Sequence, residues 1–264
     1  MQTIKGRTKQ PPRIIVSGPN SVGKSTFASK FPTPIALDLE GGLEEIGVER
    51  LPRPETYVEV KEQLAWVASK SYKTLIIDSI DWLEKLIQSD IAAQAGVADL
   101  ARIPWGEGYK RAYFELARFL GELDELRKTK RMIIVMTAHV RITKFTDPLG
   151  DNYDKYTLNM HESEKASTSQ LVRDWCDCLL FAEKEKLVRT EKGGTRGKAK
   201  TVDRHIVHTR LSHAYEAKNR YDLPAVMDLD FGQVWGAILA FLNGPVAKPT
   251  EPETKLELVE EVNV

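Results

Sequence analysis

Nine residues constrain this chain more than any other stretch: Gly18-Pro19-Asn20-Ser21-Val22-Gly23-Lys24-Ser25-Thr26, directly after the apolar run Ile14-Ile15-Val16. They fit G-x-x-x-x-G-K-[ST], and the flanking residues supply a strand before the loop and a helix after it. Glycines at 18 and 23 let the main chain curl until successive N–H groups point into one concavity, beside the start of a helix at Lys24. A triphosphate fits that cradle. In it Lys24 reaches the β- and γ-phosphate oxygens and the Ser25 hydroxyl ligates Mg²⁺, which makes ATP with Mg²⁺ the expected ligand pair.

Composition narrows the setting. With 264 residues, 42% hydrophobic and 29% charged, the chain has the profile of a globular protein with one sizeable core. Thirty-eight basic residues balance thirty-eight acidic ones, so any nucleic-acid site has to come from local clustering. Cys176 and Cys178 are one residue apart, a spacing that suits neither a disulfide framework nor a zinc site, and they read as reduced strand residues. No apolar run approaches the roughly 18 residues that span a bilayer, and a cytoplasmic protein with no membrane partner is expected.

Residues 1–12 are basic and proline-bearing and read as a mobile arm, 13–243 as the core, and 244–264 as an acidic disordered tail. Strands are expected at Arg13 to Ser17, Ile35 to Leu39, Thr74 to Asp78, Met132 to Thr137 and Cys178 to Ala182, each a short apolar run. Between them come a short helix stopped by Phe31-Pro32, a helix opened by the capping box Thr56-x-x-Glu59, and a helix from Ile80 to about Gln94. Tyr109, Tyr113, Leu116, Leu120 and Leu123 mark a further long helix. Val140 to Ser167 is polar and poorly periodic and reads as one long loop. A hairpin with arms near Lys186 and His205 and a basic tip follows, then a last helix from about Phe231 to Leu242. The alternation predicts a three-layer α/β fold with a mainly parallel sheet, whose ligands lie beyond the carboxyl ends of the strands.

Polar residues at those ends carry the chemistry. Asp78 closes an apolar strand, where a carboxylate can hold the Mg²⁺ hydration shell opposite Ser25; the plainer reading is a cap for the helix at Ile80. The position after it holds Ser79, and Asp81 is expected to face elsewhere on its helix. Glu40, at the end of the second strand, is therefore the candidate group for orienting the attacking water. Thr137 and His139 are placed to contact the γ-phosphate or that water.

In this order, the loop at Gly18, then Leu37-Asp38-Leu39-Glu40, then Ile76-Ile77-Asp78-Ser79, the chain resembles the RecA-type recombinase core. Ala217-Lys218-Asn219-Arg220-Tyr221 resembles the Lys-Asn-basic motif of RecA-like proteins and the Lys-Asn-Arg motif of bacterial RadA-type proteins. The size and the Asn-Arg-Tyr-x-Leu-Pro ending are most similar to the phage-encoded RecA-like proteins of the Sak single-strand-annealing group. The resemblance implies a catalytic role for Glu40, a Mg²⁺ role for Asp78, a nucleotide sensor near His139, and Lys218 and Arg220 as fingers reaching a neighbouring subunit.

It also implies single-stranded DNA as ligand, a homo-oligomeric ring or filament, and a single-strand-binding protein as a further partner. DNA-contacting loops fall at about Gly96 to Gly108 and Arg141 to Ser167, the second carrying Arg141, Lys144, Phe145, Lys155, Tyr156 and Lys165. A nucleotide-switched loader acting through protein contacts is the alternative.

Overall fold

The computed structural model describes residues 9–147, 150–189 and 198–244. The expected arm up to residue 8, the expected tail from 245 onward and the tip 190–197 lie outside the described residues. In chain order the elements are β1 (Arg13–Ser17), α1 (Lys24–Ala28), β2 (Pro34–Asp38), β3 (Arg50–Leu51), α2 (Tyr57–Ala68), β4 (Thr74–Asp78) and α3 (Ile80–Gln94). Next come α4 (Glu107–Thr129), β5 (Ile133–Ala138), β6 (Val140–Phe145), β7 (Tyr153–Leu158), α5 (Thr168–Trp175), β8 (Cys178–Arg189) and β9 (Lys198–His208). The described part closes with β10 (Lys218–Asn219), β11 (Val226–Asp228) and α6 (Phe231–Asn243).

Nine strands form one sheet in the order β11, β9, β8, β1, β5, β4, β2, β3, with β10 also paired to β8. Strands β1 to β5 and β8 run parallel, and β9, β10 and β11 add an antiparallel edge. Of the parallel strands, β1, β4 and β5 are buried on both faces, which is why they read as apolar runs. In β1, Ile15 packs with the residues of α2, α3, α4 and α5, while Ile14 and Val16 face α1 and α6. This is the expected α/β architecture with a mostly parallel central sheet, and it puts the ends of β1, β2, β4 and β5 side by side.

Local signals held where sequence carried them. Thr56 Oγ1 accepts the Glu59 N–H at 3.2 Å, while the Glu59 carboxylate takes the N–H of Glu55 at 2.7 Å. The stripe of α4 is rotated from the one expected: Ala112, Leu116, Phe119, Leu120, Leu123 and Leu126 are buried, with Tyr109 and Tyr113 half-buried at its edge. Cys176 is the C-cap of α5 and Cys178 starts β8, so only the second is a strand residue. Both thiols are free and buried, and burial pushes the Cys176 thiol up to about 12.

Two stretches differ in kind. Val140 to Leu158 is a two-stranded hairpin of β6 and β7 and not an irregular loop. Only Thr157 and Leu158 of its two strands are buried, so no face carries the apolar alternation that marks a half-buried strand. Its register is supported by cross-strand pairs, including Phe145 against Tyr153 at 5.1 Å and the hydroxyls of Thr143 and Thr157 at 2.9 Å. The second is β8, one strand from Cys178 to Arg189 with a register shift between Lys184 and Lys186, which joins the expected fifth strand to the first arm of the hairpin.

At the amino end of the sheet, Asp177 collects Arg13 at 2.8 Å, Arg220 at 3.1 Å and Arg127 at 3.3 Å. Burial alone would push this carboxyl up, but Arg13, by hydrogen bond and charge, and Arg127 hold it below the usual carboxylate range. Removing a buried partner strands the charges it paired. Asp177→Ala is expected to destabilise the fold by about 3 kcal/mol, a fall in Tm of roughly 6–12 °C by thermal melt. Because the folded pKa is depressed, this contribution is present above about pH 4 and is lost as pH falls through the lowered folded value. The gap between wild type and variant therefore closes only in acid.

Candidate nucleotide-binding site

The loop Gly18 to Thr26 joins β1 to α1 and lines an open cavity of about 430 Å³ together with Glu40, Ile46 and His139. Gly18 lies against β8, where a Cβ would come within 2.2 Å of the Ala182 carbonyl oxygen. Gly23 has φ +97°, a left-handed conformation that side chains resist, and it is the residue from which α1 begins. Gly18→Ala is accordingly expected to displace the loop and cost at least tenfold in affinity for a fluorescent ATP analogue; unchanged affinity would contradict that fit. Lys24 is buried and its Nζ donates to the carbonyls of Gly18 at 3.0 Å and Pro19 at 2.9 Å. Burial lowers its pKa, opposed by Asp78, Glu40 and Asp81.

Asp78 stands level with Asp38 at the ends of β4 and β2. Thr137 donates to Asp78 Oδ1, while Oδ2 is buried without a hydrogen-bond partner. Burial raises the Asp78 pKa, and Thr137, Ser25 and Lys24 work against that rise. An unsatisfied buried carboxylate oxygen beside a serine hydroxyl is a hard oxygen donor set, which fits Mg²⁺. Asp38 has a different duty. Its two oxygens accept the N–H groups of Gly41 at 2.9 Å, Gly42 at 3.0 Å and Leu43 at 3.2 Å, which turns the chain so that Glu40 faces the loop.

Glu40 Oε2 accepts the Ser79 hydroxyl at 3.3 Å and lies 3.7 Å from His139 Nδ1. Burial pushes its carboxyl up, countered chiefly by His139. Sequence reasoning sent Asp81 elsewhere; the structure brings it to the site. It is 1% exposed on the first turn of α3 and holds His139 by main-chain N–H at 3.1 Å and by ring Nδ1 at 3.0 Å. The pairing of β4 with β5 brings the first turn of α3 to the end of β5, a neighbourhood that spacing along the chain does not signal. The Asp81 hydrogen bond is the largest influence on the ring and raises the His139 pKa, against burial and Lys24.

The remaining candidates are elsewhere. Lys218 and Asn219 pair with the first residues of β8, level with Ile15 and Ile14, three to four strand residues or roughly 10–13 Å from Gly18 along the sheet. There Lys218 Nζ donates to the carbonyls of Arg173 at 2.7 Å and Asp174 at 2.9 Å, and Arg220 pairs with Asp177. The chain's own loop is thus not approached by either.

The six residues of the expected DNA loop divide into three places. Alternation along the hairpin puts Arg141, Phe145 and Lys155 on one face, with the Lys155 ammonium 5.6 Å from the Phe145 ring. Lys144 and Tyr156 are on the other face, where Tyr156 packs 5.4 Å from Phe181. Lys165 instead borders a cavity of about 320 Å³ with Trp105, Lys110 and the stacked pair Tyr109 and His161. Trp105, 92% exposed in the segment before α4, lies within the first expected DNA-contacting loop.

A phosphate-cradling loop between β1 and α1, a strand-end aspartate beside its serine and a glutamate across the cavity define a P-loop ATPase on a parallel sheet. The chain belongs to the AAA domain family, whose model matches residues 10–221. No curated protein matches it. Among the described residues, no helix is long and apolar enough to cross a membrane.

Proposed function

We propose that this ATPase is a RecA-like protein that binds single-stranded DNA and promotes annealing or strand exchange, in the manner of the phage-encoded Sak group. The observation that carries the reading is the hairpin: it starts one residue after His139, at the nucleotide site, and puts Arg141, Phe145 and Lys155 on one face. Cations that track phosphates beside a ring that stacks on bases suit a single strand. The protein works as a ring or filament of identical copies, alongside a single-strand-binding protein.

Within the site, the main-chain N–H groups of the loop and Lys24 hold the triphosphate, and Glu40 orients the attacking water and accepts its proton. Ser25 and Asp78 would hold Mg²⁺, which neutralises charge on the phosphates when bound. Lys218 and Arg220 act on a neighbouring copy, so that hydrolysis depends on assembly.

A second reading, a loader whose nucleotide state governs protein contacts, is favoured by the acids near those cations. Arg141 lies 3.9 Å from Glu162, and Lys144 stands opposite Asp154. Fluorescence anisotropy of a labelled oligonucleotide, with ATP and across salt concentrations, separates the two. The DNA reading predicts binding that weakens steeply with salt, with Arg141→Ala and Lys155→Ala each shallowing the slope by about one unit. No binding at low salt would leave the loader reading.

A further inference from the structure

We infer that Asp81 is a positioning residue for hydrolysis, fixing the His139 ring with its Nδ1 toward both acids so that the Glu40 carboxylate is held facing the phosphate cavity. The inference rests on the ATPase reading above. Asp81 grips one residue at two points: His139 N–H at 3.1 Å fixes the main chain, and Nδ1 at 3.0 Å fixes the ring. A carboxylate only accepts, so Nδ1 carries the proton, and Nε2 is the ring nitrogen left for a ligand in the cavity that His139 lines. The same Nδ1 is 3.7 Å from Glu40 Oε2, whose other contact is the Ser79 hydroxyl at 3.3 Å. Asp81 from the interior of α3 and Glu40 at the cavity thus converge on one ring nitrogen, whose N–H offsets the repulsion between the two carboxylates.

The second buried acid of α3 is separate. Glu84 accepts the His161 N–H at 3.1 Å and the Thr168 hydroxyl, and so anchors the segment before α5. The charged groups that face His139 are Asp81 from α3, Glu40 from the turn after β2 and Lys24 from α1, and Glu40 also feels Asp78 from β4. An asparagine at 81 could accept the same N–H groups but would not carry the charge that raises the ring's pKa. The shape survives and the charge goes.

The test is Asp81→Asn in the full chain, with four readouts: ATP turnover against pH, ATP-analogue affinity, thermal melt and the ¹⁵N titration of His139. Expected are a kcat lower by roughly 10–100-fold, nucleotide affinity within about twofold and a His139 titration moved to lower pH. As the ring's pKa falls, its counter-charge to Glu40 weakens and the acid limb of the rate profile moves to higher pH. Wild-type turnover with an unmoved acid limb, or a turnover loss that only follows lost nucleotide affinity, would overturn the inference. Should Asp81→Asn not fold, His139→Gln carries the same expectation for kcat, and wild-type turnover there would sink it. If the wild-type protein itself shows no turnover, the ATPase reading has failed; an unmoved His139 titration in Asp81→Asn would then still refute the hold on the ring.

Discussion

Glu40→Gln is expected to abolish steady-state ATP turnover, by about 10²–10⁴-fold, while binding an ATP analogue as tightly as the wild type. The size follows from what the substitution removes. Glutamine keeps the length of the side chain and can still accept the Ser79 hydroxyl, so the turn built by Asp38 and the cavity wall remain. It cannot take a proton from water. Burial already raises the Glu40 pKa, which brings the group nearer the range in which a base works at neutral pH, and His139 limits that rise. The rate of the wild type should therefore fall as acid protonates Glu40. Phosphate release against pH and equilibrium binding of a fluorescent analogue check both halves; a variant that still turns over ATP would place the base elsewhere.

The second large effect concerns residues remote from the loop in their own chain. In the assembled protein, Lys218→Ala and Arg220→Ala should each lower turnover by roughly 10³-fold or more, as removal of a charge-neutralising finger does, with nucleotide affinity nearly intact. Neither change should unfold the protein. Asp177 keeps Arg13 and Arg127 when Arg220 is removed, and Lys218 donates only to two main-chain carbonyls at the end of α5. Because the pair lies at the opposite end of the sheet from Gly18, a finger role requires a second copy. Mixing Glu40→Gln with Arg220→Ala subunits should then restore part of the activity, since some interfaces join an intact glutamate to an intact arginine. Full activity in a monomer would refute the arrangement.

What the sequence made readable follows from how each feature is built. β1, β4 and α3 were placed to the residue because parallel strands buried on both faces are apolar throughout, and because the loop geometry leaves no choice at Gly18. Glu40 was reachable because neighbouring strand ends converge. The β6–β7 hairpin was not, since its stability comes from cross-strand pairs and not from a buried apolar face. Asp81 was missed for a different reason. Its partner His139 is 58 positions away, and only the pairing of β4 with β5 brings the helix after one strand under the end of the other. The three arginines around Asp177 are likewise 43 to 164 positions from it, a distance over which charge patterns in the sequence are silent.

The proposed function requires that single-stranded DNA raise ATP turnover by this P-loop ATPase. Titrating an unstructured oligonucleotide into the protein at saturating ATP and Mg²⁺, and following phosphate release, tests it most directly. The account predicts a turnover rate that climbs and saturates with oligonucleotide, and a specific activity that rises with protein concentration as copies assemble. A rate that is the same at every oligonucleotide concentration, from protein that also fails to bind the strand in ATP, would contradict it.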